Sequence, residues 1–208
     1  MKINEKIMIP IILGIIVICN VVLFFKDKTV HHDFEIDQLK EYELKYWETK
    51  AQLVDEVQNY INTVAPTSNL RACILVDACE KYNIEVKFAL AQGEIESHFG
   101  TKGLASKTNS VWNVGAYDGY SYSKIMNYKY SHPNESIEPY LKLLYEKYLT
   151  NEVEEGLLRN FVDHNGNRFA SDKNYEERLK YKYKYIGNNT QIDSLTTQLQ
   201  YWAVKCNR

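Results

Sequence analysis

Glu96 stands near the end of a mostly apolar segment, Phe88–Gly100, and is the chain's first candidate for acid catalysis. Apolar residues recur there at three- and four-residue steps, which predicts a helix with one buried face that ends at Gly100. A carboxylic acid at such a helix end loses part of its water, and this raises its pKa. Glu96 could therefore stay protonated near neutral pH and act as a general acid. The alternative is an ordinary solvated glutamate at a helix end.

Four segments in order carry a family resemblance. Ala89-Leu-Ala-Gln-Gly-Glu-Ile-Glu-Ser-His-Phe-Gly100 resembles the Ala-Gln-x-x-x-Glu-Ser-x-x-Gly motif of glycoside hydrolase family 73, the bacterial and phage glucosaminidases that cut peptidoglycan. Three later segments, at 106–115, 128–140 and 168–179, are similar to further motifs of that family. The resemblance implies a lysozyme-like α+β fold, in which a helical body and a small β-hairpin lobe flank a glycan cleft. It also implies that Glu96 is the general acid and that no metal or organic cofactor is needed.

A second carboxylate is harder to find. Most glycoside hydrolases use two carboxylates, and between Val111 and Tyr130 the only acid is Asp118. Asp118 is therefore the candidate partner of Glu96, although Asp before Gly119 is also what a tight turn prefers. The tyrosines on either side of this pair predict a hairpin there.

Aromatic and amide side chains after the Glu96 helix could bind sugars, because pyranose rings stack on aromatic rings and amides hydrogen-bond their substituents. The candidates are Asn109, Trp112, Tyr117 and Tyr120. The family motif near the end of the domain adds two more, Phe169 and Tyr175. Phe169 stands where the family has a tyrosine, so its hydroxyl is missing. Asn113 and Gly115 are further departures, since the family has Gly and Lys at these two positions.

The first residues predict a membrane anchor. Ile7 to Phe25 is an apolar run, long enough to span a bilayer as a helix. No small-x-small cleavage site follows it, which favours an uncleaved single-pass signal anchor over a cleaved signal peptide. The predicted organisation is a transmembrane anchor at 1–26, a helical stalk or linker at 27–50 and a glucosaminidase-like domain at 51–208. The domain is expected outside the membrane.

Leu39, Tyr42 and Tyr46 of the stalk, with Leu53 just beyond it, stand at helical spacing. This pattern predicts either a weak seam for self-association or a helix that packs on its own domain.

Charge excludes one class of partner. The net charge of −2 gives no sign of nucleic-acid binding, which needs clustered basic residues. The run Tyr181-Lys-Tyr-Lys-Tyr185 is a local exception. It could meet an acidic wall polymer, or it could be an ordinary helix face. The expected partners are thus peptidoglycan glycan strands and the membrane. Two alternatives to a glucosaminidase stay open: a muramidase or lytic transglycosylase, and a non-catalytic wall-binding or assembly protein.

Overall fold

The computed structural model describes residues 36–115, 119–148, 161–163 and 165–208. In these ranges the chain is mainly helical, as predicted, and no strand forms. Pairing of β type is limited there to an isolated antiparallel bridge between Val162 and Arg168.

The helices of the described residues are numbered here in chain order. A long helix, α1, covers 36–64. The later helices are α2 Ala72–Tyr82, α3 Val86–Ser97, α4 Ala105–Thr108, α5 Tyr122–Met126, α6 Ile137–Lys147, α7 Tyr175–Asn189 and α8 Ile192–Lys205. A 3₁₀ turn, Pro133–Ser136, leads directly into α6.

The described chain divides into two compact units. One combines 36–48 with Gln200–Arg208, and the other is Thr49–Leu199. In the smaller unit the ring of Tyr42 stacks on Trp202 with centroids 6.0 Å apart. The guanidinium of Arg208 lies 4.8 Å from the ring of Trp47. This unit is held by aromatic and cation–π contacts between the two ends of the described chain.

The predicted stalk seam is largely covered. Tyr46 and Leu53 are buried, and Tyr42 stacks on Trp202, while Leu39 stays exposed. Three of the four predicted positions therefore pack within the chain, and the choice between the two alternatives stays a prediction.

The helix that carries Glu96 lies at the centre of the larger unit. Nearly every residue of α3 from Val86 to Glu94 is buried, so the expectation of a single buried face is wrong. Small side chains on α3 let neighbouring residues pack closely against it. A Cβ added at Gly93 would lie 3.2 Å from both Phe99 and Trp112. The most extensive packing of α3 is against α7, and α2 packs on it as well.

The end of α3 also differs from the prediction. The helix stops at Ser97, and His98 takes the left-handed conformation expected of a C-terminal cap, with φ 49°. Its backbone N–H bonds to the carbonyl of Glu94, and that of Phe99 bonds to Gly93. Gly100, the predicted cap, is the third left-handed residue in succession, with φ 84°.

The predicted hairpin and the predicted membrane span fall partly or wholly outside the described residues. Tyr117 and Asp118, the turn of the predicted hairpin, lie outside the described residues, and their described neighbours form turns and the short helix α5 rather than strands. The predicted membrane span, Ile7 to Phe25, also lies outside them. Among the helices that are described, none combines the length and the apolar character needed to cross a bilayer.

An ion pair between buried Lys87 and partly exposed Asp193 joins α3 to α8 beside α7. The ammonium of Lys87 lies 2.7 Å from both carboxylate oxygens of Asp193 and 3.9 Å from the ring centroid of Tyr183. Gly187 leaves room for the pair, because a Cβ there would lie 2.6 Å from Asp193 Oδ2. The absence of a side chain at 187 is thus a packing requirement.

We expect Gly187→Ala to lower the free energy of unfolding by about 2 kcal/mol, because the added methyl displaces the carboxylate that neutralises buried Lys87. Helix propensity alone would instead stabilise the variant, by up to about 1 kcal/mol. Urea unfolding shows whether the free energy of unfolding falls or rises. Asn188→Ala, at the exposed neighbouring position, is the matched control and should change stability by less than about 0.5 kcal/mol. A stabilised Gly187→Ala protein would contradict this packing.

Candidate active site

Glu96 lies in the last turn of α3, half-buried. Burial raises the pKa of its carboxyl above the ordinary value. Hydrogen bonds from Tyr175 and Asn113 and the charge of Arg178 lower it, but burial is the largest effect. The side chain is therefore poised to hold a proton at a higher pH than a solvated glutamate would.

Two donors hold the two oxygens of this carboxyl. The hydroxyl of Tyr175 donates to Oε1 at 2.7 Å. The side-chain amide of Asn113 donates to Oε2 at 3.0 Å and to the backbone carbonyl of Glu96 at 3.2 Å. Both donors favour the ionised form, so they would stabilise the charge that appears on Glu96 when it gives up its proton.

Tyr175 is itself oriented by a buried chain of hydrogen bonds. Tyr140 donates to Gln92 Oε1, and Gln92 Nε2 donates to the Tyr175 hydroxyl at 3.0 Å. With its oxygen accepting from Gln92, Tyr175 has its own proton directed at Glu96. Burial, and next the charge of Glu96, raise the pKa of Tyr175 well above its usual value, so it remains a donor.

Asn113 is positioned by the loop that follows α4. Its backbone is left-handed, with φ 52°, a conformation that Asn tolerates better than most residues. Ser97 fixes the loop to the end of α3: its hydroxyl donates to the carbonyl of Val111 at 2.6 Å and accepts from the N–H of Gly100 at 2.8 Å. Residues from two separate segments thus meet at one carboxyl group.

Glu94, two positions before Glu96, has a different environment. Its buried carboxylate accepts from the hydroxyl of Tyr60 and pairs with the ammonium of Lys182. Because both oxygens are engaged by α1 and α7, this side chain ties helices together.

Trp112, one of the candidate sugar-binding residues, lies in the interior. It is 2 % exposed, its ring stacks on Tyr140 with centroids 4.4 Å apart, and its N–H donates to the carbonyl of Ala89 at 3.0 Å. The ring is a packing element that supports Tyr140, the first member of the hydrogen-bond chain.

Asn109 and Phe169 also take internal partners. The amide of Asn109 donates to the carbonyls of Tyr130 and Ser131 at 2.9 and 3.2 Å, which joins two loops. Phe169 stacks on Phe161 at 4.5 Å and packs against the ring of Tyr175 at 5.7 Å. Both residues are partly exposed, so their contact with glycan stays a prediction. Phe169 also supports the ring whose hydroxyl reaches Glu96.

The remaining predicted residues differ in their surroundings. Tyr120 is partly exposed, with the ammonium of Lys124 3.4 Å from its ring centroid. Asp118 and Tyr117 lie outside the described residues. Tyr175, predicted to bind substrate, is the hydrogen-bond donor to Glu96.

Three residues that act on Glu96 or on Tyr175 were missed by the sequence reasoning: Asn113, Gln92 and Arg178. Gln92 lies one turn before Glu96, in the same resemblance motif, and this spacing was the available signal. Arg178 lies one turn after Tyr175 on α7, which the same helical spacing could have suggested. In the described part of the chain, no group of three or more His, Cys, Asp or Glu residues could hold a metal ion.

Comparison with known families gives one match. Residues 72–188, more than half of the chain, match the glucosaminidase family, described as mannosyl-glycoprotein endo-beta-N-acetylglucosaminidase. The matched range contains Glu96, Asn113 and Tyr175. No curated protein matches the chain.

We expect Glu96→Gln to raise the free energy of unfolding near pH 7. The folded-state pKa of Glu96 lies above the unfolded value, so ionisation costs stability as the pH rises past about 4.3. Urea unfolding should show the gain near neutral pH and none near pH 3, where Glu96 is protonated in both states.

Glu135→Gln is the control, and its change in stability near pH 7 should be opposite to that of Glu96→Gln. Hydrogen bonds from Ser131 lower the pKa of Glu135, so this variant should lose stability near pH 7. No gain for Glu96→Gln at neutral pH, or an equal gain at both values, would contradict a pKa raised by burial.

Proposed function

The chain belongs to the glucosaminidase family, glycoside hydrolase family 73, and we propose that it cleaves the β-1,4 bond after N-acetylglucosamine in peptidoglycan, with Glu96 as general acid. The family assignment itself makes the protein a glycoside hydrolase of the endo-β-N-acetylglucosaminidase type with a peptidoglycan glycosidase role. The bond and the residue are our proposal.

One observation carries this proposal: a carboxyl group with a raised pKa, held by a tyrosine hydroxyl and an amide at the end of a buried helix. Breaking a glycosidic bond requires a proton on the departing oxygen and support for an oxocarbenium-like carbon. Protonated Glu96 supplies that proton. As it becomes a carboxylate, the donors Tyr175 and Asn113 stabilise the new charge, and a water molecule completes hydrolysis at the sugar carbon.

Asp118 is proposed as the second carboxylate, on the sequence argument alone. A lytic transglycosylase, which can work with one carboxylate, is the second candidate. The sequence supports this candidate, because Asp118 is the only acid between Val111 and Tyr130.

We also propose that Ile7 to Phe25 anchors the protein in the membrane with the catalytic domain outside. The apolar length and lysine flanks of this segment support the anchor. An extracytoplasmic domain would meet its polymer directly.

We expect Glu96→Gln to lose at least about 100-fold of the cleavage rate, since general acid catalysis contributes roughly 10²–10⁴-fold. Mass analysis of digested sacculi measures the rate and identifies the products. Reducing N-acetylglucosamine ends support the proposal, whereas reducing or anhydro-muramic ends would assign a muramidase or a lytic transglycosylase instead.

The same digestion tests the residue assignments. A Glu96→Gln protein with unchanged activity would reject Glu96 as the acid. If the wild-type protein binds sacculi without cutting them, the protein is a non-catalytic wall-binding protein. Asp118→Asn with unimpaired cleavage would remove Asp118 from the mechanism.

We expect Tyr175→Phe to lower kcat about tenfold, because one hydrogen bond to the charge developing on Glu96 is lost. Since that hydrogen bond lowers the pKa of Glu96, its loss should move the alkaline limb of the kcat/KM profile to higher pH. Tyr183→Phe is the control, because Tyr183 lies on the same helix as Tyr175 and its hydroxyl donates to Glu85 rather than to Glu96. This variant should leave the alkaline limb in place. A limb that moves to lower pH, or does not move, in Tyr175→Phe would show that Tyr175 does not act on the acid.

A further inference from the structure

An exposed aromatic stripe runs along α7, beginning one turn after Tyr175. The stripe consists of Arg178, Tyr181, Lys182 and Tyr185, whose spacing of three, four and seven residues places them on one face of the helix. Tyr181 is 66 % and Tyr185 43 % exposed, and their rings lie 6.4 Å apart and nearly parallel, at 26°. Two large rings are thus presented side by side to solvent.

The stripe borders the candidate active site. A surface hollow of about 390 Å³ is lined by Ile95, Glu177, Arg178, Tyr181 and Lys182. Ile95 is the immediate neighbour of Glu96, and the charge of Arg178 acts on the Glu96 carboxyl. The hollow therefore lies between the end of α3 that carries Glu96 and the ring of Tyr181.

The charges of the stripe are compensated by neighbouring carboxylates. Arg178 lies 2.7 Å from Asp172 Oδ2, and Lys182 pairs with buried Glu94. Glu177 adds a carboxylate to the lining of the hollow. Because Arg178 and Lys182 each have an acidic partner, the stripe itself carries little net charge and suits an uncharged polymer better than an anionic one such as a phosphate-rich wall polymer. Exposed Lys184, three residues after Tyr181, is the cation that lies beside the stripe.

We propose that this stripe is a binding subsite for the glycan strand of peptidoglycan, with sugar rings stacked on Tyr181 and Tyr185; this rests on the proposed function. The apolar faces of pyranose rings match tyrosine rings, and neighbouring charged groups can bond their hydroxyls. From Arg178 to Tyr185 the helix rises about 10 Å, enough for two linked sugar rings. The strand would lie along α7 and lead from there to Glu96.

The test measures binding without cleavage. The full chain carrying Glu96→Gln is sedimented with purified sacculi stripped of anionic polymers, with and without Tyr181→Ala and Tyr185→Ala. We expect the double tyrosine variant to bind about tenfold more weakly, because two stacked rings are lost. Added salt should change the binding little. Circular dichroism confirms that the exposed substitutions leave the fold intact.

Tyr145→Ala is the matched control, since Tyr145 is an equally exposed tyrosine, at 57 %, on α6. Undiminished binding by the double variant overturns the proposal, as does an equal loss in Tyr145→Ala or no binding by the Glu96→Gln parent. Binding that needs unstripped sacculi and disappears with salt would assign the stripe to an anionic polymer. Cleavage by the wild-type protein is scored separately, so failure of the proposed function remains distinguishable from failure of the stripe.

Discussion

The position of the Glu96 carboxyl, between the protein interior and solvent, determines the rest of the site. Its helix is buried almost all round, so the carboxyl loses water and its pKa rises. Complete burial with no partner would leave a permanently neutral acid. Tyr175 and Asn113 prevent this by donating one hydrogen bond to each oxygen. The group can therefore hold its proton and also tolerate the charge that remains when the proton leaves.

The packing of α3 against α7 maintains this balance. Glu94 on α3 pairs with Lys182 on α7, and Lys87 on α3 pairs with Asp193 on α8 under the space left by Gly187. Each pair joins a buried side chain on α3 to a partly exposed partner on α7 or α8. These contacts hold α3 against the helix that carries Tyr175. The same helix turns Tyr175 inward to the acid and the stripe of exposed tyrosines outward, so one element can position the acid and present a surface to polymer.

Glu96 could be proposed from the sequence because its signal is local: an apolar helix pattern predicted to end at Gly100, within a family motif. The partners of Glu96 depend on tertiary packing. Tyr175 is 79 residues away, and its sequence spacing shows a helix face without showing which carboxyl it meets. Asn113 looked like a departure from the family pattern, although its amide reaches the acid. The burial of Trp112 could not be predicted from the sequence either, because it depends on stacking against Tyr140, which is distant in sequence.

The central claim is that the pKa of the Glu96 carboxyl is raised. A carbon-13 NMR titration of this carboxyl in the wild-type protein measures that pKa directly, and Glu96→Gln serves to assign the signal. Burial predicts a midpoint above the ordinary glutamate value of about 4.3. A midpoint at or below that value would contradict a general acid at this position, because the group would be ionised wherever an ordinary surface glutamate is.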